Sequence, residues 1–186
     1  MIRPVSFTAA ALVATMMTAP PTRADEKQDS LEYPVKASLL LNFAKFTEWP
    51  AGSAQAVSGA VAICVVGPDP FRGALDATVA GRTVGGRPIE VKLFRQVEGI
   101  EACHVLFVAS SEAARLAQAF ARIGDSPVLT VGEAGDFAER GGVIRLSVEN
   151  NRARFSVNLG PTEASGLKLS SKLLHVARSV RVGASR

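Results

Sequence analysis

Two stretches of this chain are apolar almost without interruption, "AVAICVVG" over 60–67 and "ACHVLFVAS" over 102–110. Successive side chains of a strand point to opposite faces, so a run that is apolar at both odd and even positions has to be covered from both sides. That excludes a sheet with one wet face and points to strands sandwiched between two layers of helices. The surrounding pattern agrees. "DPFRGALDATV" (69–79) has helix-start chemistry at Asp69-Pro70, "RPIEVKLF" (87–94) alternates as a strand nearer an edge, and "PVLTVGE" (127–133) reads as a further strand. "SEAARLAQAFARIG" (111–124) predicts a helix capped by Ser110 or Ser111 and closed by Gly124, whereas "AGDFAERGG" holds at most one helical turn.

The last third changes character. Segments 143–149 and 152–159 alternate and are joined by Asn150-Asn151, two residues that tolerate positive φ, which predicts a tight hairpin. Val143, Ile144, Leu146 and Val148 would oppose Phe155, Val157 and Leu159. Beyond "GPTEASG", Ser170 is placed to cap a helix from Ser171 to about Val180, burying Leu173, Leu174, Ala177 and Val180. The expected fold is an α/β three-layer sandwich: a mainly parallel mixed sheet, a C-terminal antiparallel hairpin at its edge, and flanking helices.

The N-terminus reads as an export signal. Arg3 precedes an apolar run from Val5 to Ala19, then Pro-Pro and the small residues Thr22 and Ala24, before the charged "DEK". The run is shorter than the roughly 20 apolar residues a membrane span needs. Cleavage after Ala24 removes Arg3 and Arg23 and lowers the formal charge from +4 to +2, which takes away most of the basic signal that would suggest nucleic acid. The expected organisation is a signal peptide at 1–24, a short segment at 25–32, one α/β domain at 33–181 and a tail at 182–186. In an oxidising compartment, the two cysteines, Cys64 and Cys103, have two readings: a disulfide bridge, or two buried thiols in neighbouring strands.

Chemistry-bearing motifs are sparse. His104 and His175 lack partners at metal-ligand spacing, and His104, inside an apolar strand, reads as a core histidine with its hydrogen bonds met. There is no G-x-S-x-G, P-loop or H-E-x-x-H. "GPDPFRG" admits an anion at a helix N-terminus or a plain βα turn, the second being the simpler account. Asp136 and Glu139, with Glu133 just upstream, read as a solvated loop before a catalytic pair. No nucleophile, base and orienting group stand together, so neither an enzyme, a cofactor nor a metal centre is expected.

The segment "YPVKASLLLNFAKFTEWP" (33–50) reads as one amphipathic helix ending at Trp49-Pro50, with Leu39, Leu40, Phe43, Ala44 and Phe46 on one face. Lys36 falls near the centre of that apolar arc. Either it snorkels out along its stem from the first turn, or it is a cation at the edge of the fold for an anionic ligand or partner. Trp49, the only tryptophan, either closes the core as a lid or stands out as an interface anchor.

Together "VKASLLLNFAKFTEWP", "ICVVGPDPF", "GRPIEV", "GGVIRLSVENNRARFSVNL" and "GLKLSSKLLHVA" resemble the YfiR family, over about Tyr33 to Val180. The resemblance implies a periplasmic α/β protein, dimeric and without catalytic activity, that binds the periplasmic sensory part of an inner-membrane diguanylate cyclase and represses it. Cyclic-di-GMP production and biofilm formation would be restrained as a result. It implies that Cys64 and Cys103 match one structural disulfide of the family; a second pair found in some members has no counterpart, since no Cys follows Asp125. Phe43, Phe46 and Trp49 would then be part core and part edge of a partner-binding patch, with Lys36 and Lys168 supplying cations for a partner or nucleotide. Charge reversal at Lys36 or Lys168 is expected to weaken repression while leaving stability intact. The alternative is a periplasmic module of the same fold sensing a nucleotide or amino acid at the strand C-termini near "GPDPF".

Overall fold

The computed structural model describes residues 23–150 and 152–183, with side-chain surroundings from Glu32 onward. Apart from Arg23 and Ala24, the expected signal peptide lies outside the described residues, as do Asn151 and most of the tail. The chain runs through α1 (Arg23–Lys45), β1 (Thr47–Glu48), α2 (Ala54–Val57), β2 (Val61–Val66), α3 (Ala74–Val79), β3 (Thr83–Val84), β4 (Arg87–Phe94) and β5 (Val105–Val108). It continues with α4 (Leu116–Ile123), β6 (Leu129–Gly132), β7 (Ile144–Glu149), β8 (Arg152–Asn158), α5 (Gly160–Ser165), β9 (Lys168–Leu169), α6 (Ser171–Val176) and β10 (Ser179–Arg181). Eight strands form one sheet in the order β10-β8-β7-β6-β5-β2-β4-β3, and β1 pairs with β9 in a separate two-stranded sheet. Strands β4, β2, β5, β6 and β7 are mutually parallel.

Alternation within the apolar strands builds two cores. Val61, Ile63 and Val65 of β2, with Val105 and Phe107 of β5, face α1 and α3 and join Leu40, Phe43, Ala44, Phe71 and Leu75. Ala62, Cys64 and Val66, with Leu106 and Val108, face the opposite way and meet Leu116, Ala119 and Ile123 of α4. The sheet therefore lies between helical layers, as its uninterrupted apolar strands require.

Several element ends differ from the sequence reading. Helix α1 stops at Lys45, four residues before Trp49: Thr47 Oγ1 donates to the Phe43 carbonyl (2.8 Å), and Thr47 and Glu48 then pair with Leu169 and Lys168. Its buried stripe runs through Ala37, Leu40, Leu41 and Ala44, while Leu39 is only half-buried. Neither Ser110 nor Ser111 caps α4, because Ser110–Arg115 forms a 3-10 turn first. Helix α3 begins at Ala74, since the Asp69 carboxylate accepts the Phe71 and Gly73 N–H groups (2.9 and 3.3 Å) and holds the preceding residues in a turn.

The hairpin forms in the expected register, with Ile144 opposite Val157 and Leu146 opposite Phe155, and Asn150 takes φ 49. It is not the sheet edge. Helix α6, capped by Ser170, ends at Val176, and the chain extends as β10 parallel to β8. Two β-branched valines beyond the helix, Val180 and Val182, suit the extended form, and the main chain is held by Arg178 N–H to Phe155 O and Leu159 N–H to Arg181 O (both 2.8 Å).

Candidate functional site

The sheet changes direction between β2 and β5: β4 lies to one side of β2, and β5, β6 and β7 follow on the other. At the C-terminal ends of these strands the expected ligand crevice of an open α/β sheet is occupied by the protein itself. The Glu112 side chain lies against Gly67, where a Cβ would collide with it, and pairs with Arg115 (3.2 Å). Beside it, Lys36 is buried, at 4% exposure, and its Nζ contacts both Glu32 and Glu133. Glu133 follows the last residue of β6, and its other oxygen accepts the Ser110 N–H (3.0 Å), just past β5. The Lys36 ammonium lies 4.6 Å from the centre of the Tyr33 ring, which meets Phe71, which in turn meets Phe107 of β5 edge to face.

This arrangement corrects the expectation that Lys36 snorkels to solvent. Burial lowers the lysine pKa, but the hydrogen bonds and charges of Glu133 and Glu32 outweigh it and hold the ammonium above the ordinary value of 10.5. Its charge is consumed internally, so it is not a surface cation for a partner, and its reversal is now expected to cost stability. The sequence does not announce this cluster: Lys36 and Glu133 are 97 residues apart, no spacing rule joins them, and the Ser110 N–H that steadies Glu133 comes from a third segment.

A second polar cluster lies at the N-terminal ends of the strands. His104, 1% exposed, accepts the Ala62 N–H at Nδ1 (3.0 Å), and its Nε2–H donates to the Gln55 carbonyl (2.8 Å). Arg87 Nη1 donates to the same carbonyl (2.7 Å), Gln55 Nε2 donates to Glu101 O (2.9 Å), and the Trp49 indole meets the imidazole edge to face at 5.0 Å. His104 is the satisfied core histidine its setting predicts. Burial pushes its pKa below the usual 6.5, against the Gln55 bond and with help from the nearby Arg87 and Lys92 charges. A depressed histidine favours the fold above 6.5 and loses that contribution as pH falls toward its folded value. Urea denaturation should therefore show wild-type stability dropping as the pH falls below 6.5. His104→Gln should flatten that slope while costing about 1–3 kcal/mol at pH 7.5, as the Ala62 N–H loses its acceptor. A groove of about 400 Å³ opens here, lined in part by Ser58, Pro88, Glu90, Lys92 and His104.

The cysteines are joined. Cys64 on β2 and Cys103, two residues before β5, form a disulfide with Cα atoms 6.1 Å apart, buried in the α4-side core.

The aromatic patch divides. Phe43 is wholly buried against Phe155, with ring centroids 5.0 Å apart, and has no surface to offer a partner. Phe46 is 36% exposed. Trp49 is half-buried against the core and is the lid of the two readings; its indole N–H is buried without an acceptor. Lys168 is exposed and sits on β9 directly across from Glu48. The β1–β9 pairing, the Ser170 N–H to Phe46 O bond (2.9 Å) and the close approach of Gly166, at φ 71, to Pro50 thus clip "NFAKFTEWP" to "GLKLSS". Two blocks more than a hundred residues apart become one outer ridge.

The loop carboxylates do not form a catalytic pair: Asp136 faces Arg140 (3.9 Å) and Glu139 pairs with Arg181 (3.1 Å), all substantially exposed. What the loop contributes is Phe137, fully buried with its ring between Gly132 and Gly142, where a Cβ on either would enter it. Among the described residues no cluster of His, Cys, Asp and Glu is arranged to hold a metal, and no helix is long and apolar enough to cross a membrane.

A sequence model described as YfiR/HmsC-like matches residues 33–178. Among solved structures, the chain is similar to a conserved domain protein from Vibrio cholerae, at TM-score 0.54 and 11% identity, over 81% of this chain and 60% of that one. It is also similar to an ABC domain from Streptococcus pneumoniae solved in complex with L-Trp, at TM-score 0.54 and 10% identity, over 77% of this chain and 60% of that one. At these identities the likeness shows the α/β fold alone.

Proposed function

Because the chain belongs to the YfiR/HmsC-like family, we propose that it is a periplasmic regulator that acts by holding a partner protein, not by catalysis. The partner is the periplasmic sensory part of an inner-membrane diguanylate cyclase, and its occupation by this protein lowers cyclic-di-GMP output and biofilm formation. The export signal at 1–24 and the dimeric state implied by the family belong to the same reading, with the α/β unit spanning 33–181.

The observation that carries it is the ridge made by β1 and β9. A regulator that works by fit needs a preformed patch with an apolar anchor and flanking charges. Phe46, exposed beside the Glu48–Lys168 cross-strand pair, has the make-up of such a patch, and it is built from the two blocks most specific to the family resemblance. The polar groups at the strand C-termini are instead engaged with one another, which leaves the crevice there a poor ligand site.

Deleting the gene in the native host should raise cyclic-di-GMP, and the exported protein should restore it where a leaderless form does not. Phe46→Ser with Lys168→Glu should abolish restoration with the melting temperature held within a few degrees. Restoration by the leaderless form, or unchanged cyclic-di-GMP on deletion, counts against the reading.

A further inference from the structure

The eight-stranded sheet ends at β10, whose outer edge pairs with no described strand. Ser179, Val180 and Arg181 are all exposed, and the flanking valines are unusually so: Val176 is 66% and Val182 68% exposed, with Val180 at 39%. An open edge presents unpaired N–H and C=O groups that template another strand. This one is preformed. Its entry is held by Arg178 N–H to Phe155 O and its exit by Leu159 N–H to Arg181 O. Gly183 then packs so closely on α5 that an added Cβ would lie 2.9 Å from the Gly160 Cα.

The charge around the edge selects the occupant. From Ala164 to Gly183 the chain carries Lys168, Lys172, Arg178 and Arg181 and not one Asp or Glu, while Glu163 lies beside Gly183 at the exit of β10. Arg152 and Arg154 on the adjoining β8 are exposed as well. Arg178 and Arg181 pair with Glu149 and Glu139, but all four side chains are more than a third exposed, and such surface pairs exchange readily for a partner's carboxylates. A second copy of this chain, joined edge to edge, would set these arginines against their own kind, which is unfavourable across paired strands. A lipid surface presents no ladder of donors and acceptors spaced along a strand, and its hydrocarbon interior offers the main chain no hydrogen bonds at all.

We infer that the β10 edge is a strand-addition site for an extended segment of a partner protein that alternates carboxylates with small apolar side chains. Main-chain hydrogen bonds supply the attachment, the valines the apolar contact, and the arginines the preference for acid. The inference is independent of the ridge at β1 and β9 and of the identity of the cyclase.

The test is fluorescence polarisation of the mature protein with labelled hexapeptides alternating valine with glutamate, or valine with lysine, at low salt. The glutamate peptide should bind at least tenfold tighter than the lysine peptide. N-methylation of its alternate amides should abolish binding, and the protein variant Arg178→Glu/Arg181→Glu should reverse the preference. If that variant fails to fold, the N-methylation comparison on the wild type decides alone. Equal binding of the two peptides, undiminished binding after N-methylation, or sedimentation with anionic phospholipid vesicles in place of peptide binding would overturn the inference.

Discussion

Replacing Lys36 with methionine will destabilise the domain by about 3–5 kcal/mol in urea denaturation, the scale seen when one partner of a buried ion pair is removed. Methionine fills the volume and keeps the apolar stem, so the loss reports the charge. Glu133, its side chain 8% exposed, is left with the Ser110 N–H but without its cation, and Glu32 beside it becomes a like charge. Adding Glu133→Gln should recover more than half of the loss, because the remaining amide no longer needs a counter-ion. The two mutations touch one network and will not add. The pH dependence has a definite sign. Because the folded Lys36 pKa is raised, its contribution is fully present below 10.5 and disappears as pH rises through the folded value, so wild type should lose stability in that alkaline window and Lys36→Met should not. Insensitivity to Lys36→Met would mean that the cluster is solvated in solution.

The double substitution Cys64→Ala/Cys103→Ala should cost a similar amount. The bridge closes a loop with a sequence separation of 39, for which the chain-entropy description gives about 4 kcal/mol. Both sulfurs lie in the α4-side core, at 0% and 1% exposure, between the sheet and the 3-10 turn Ile100–Ala102. A reductant reaches them only when the structure opens, so free-thiol appearance in dithiothreitol should track unfolding and accelerate with urea. That behaviour identifies a structural staple; rapid reduction of the native protein, with its fold kept, would identify a switch.

The sandwich was legible because apolar residues occupy both parities of "AVAICVVG" and "CHVLFV", a pattern that local physics alone makes sense of. The hairpin was legible because Asn150 sits where positive φ is needed. What escaped is tertiary in origin. Lys36 looks misplaced on its own helix and is explained only by Glu133, which arrives at the end of β6 from across the sheet. The helix read as reaching Trp49 stops at Lys45 because Thr47 and Glu48 have strand partners in "KL" at 168–169, and nothing near residue 47 announces them. The helix read as reaching Val180 stops at Val176 because β8 offers an unpaired edge, a stronger claim on Val180 and Val182 than one more helical turn. Of the patch residues, Phe46, Trp49 and Lys168 meet on one ridge, while Lys36 and Phe43 belong to the interior.

The central claim is that this domain regulates by occupying a partner in the periplasm. The most direct measurement is calorimetric titration of the mature protein into the purified periplasmic domain of the membrane cyclase from the same host, with wild type and Phe46→Ser/Lys168→Glu side by side. The account predicts saturable binding by wild type and at least a tenfold loss for the variant. No binding by a wild-type protein that is folded and disulfide-bonded would contradict it.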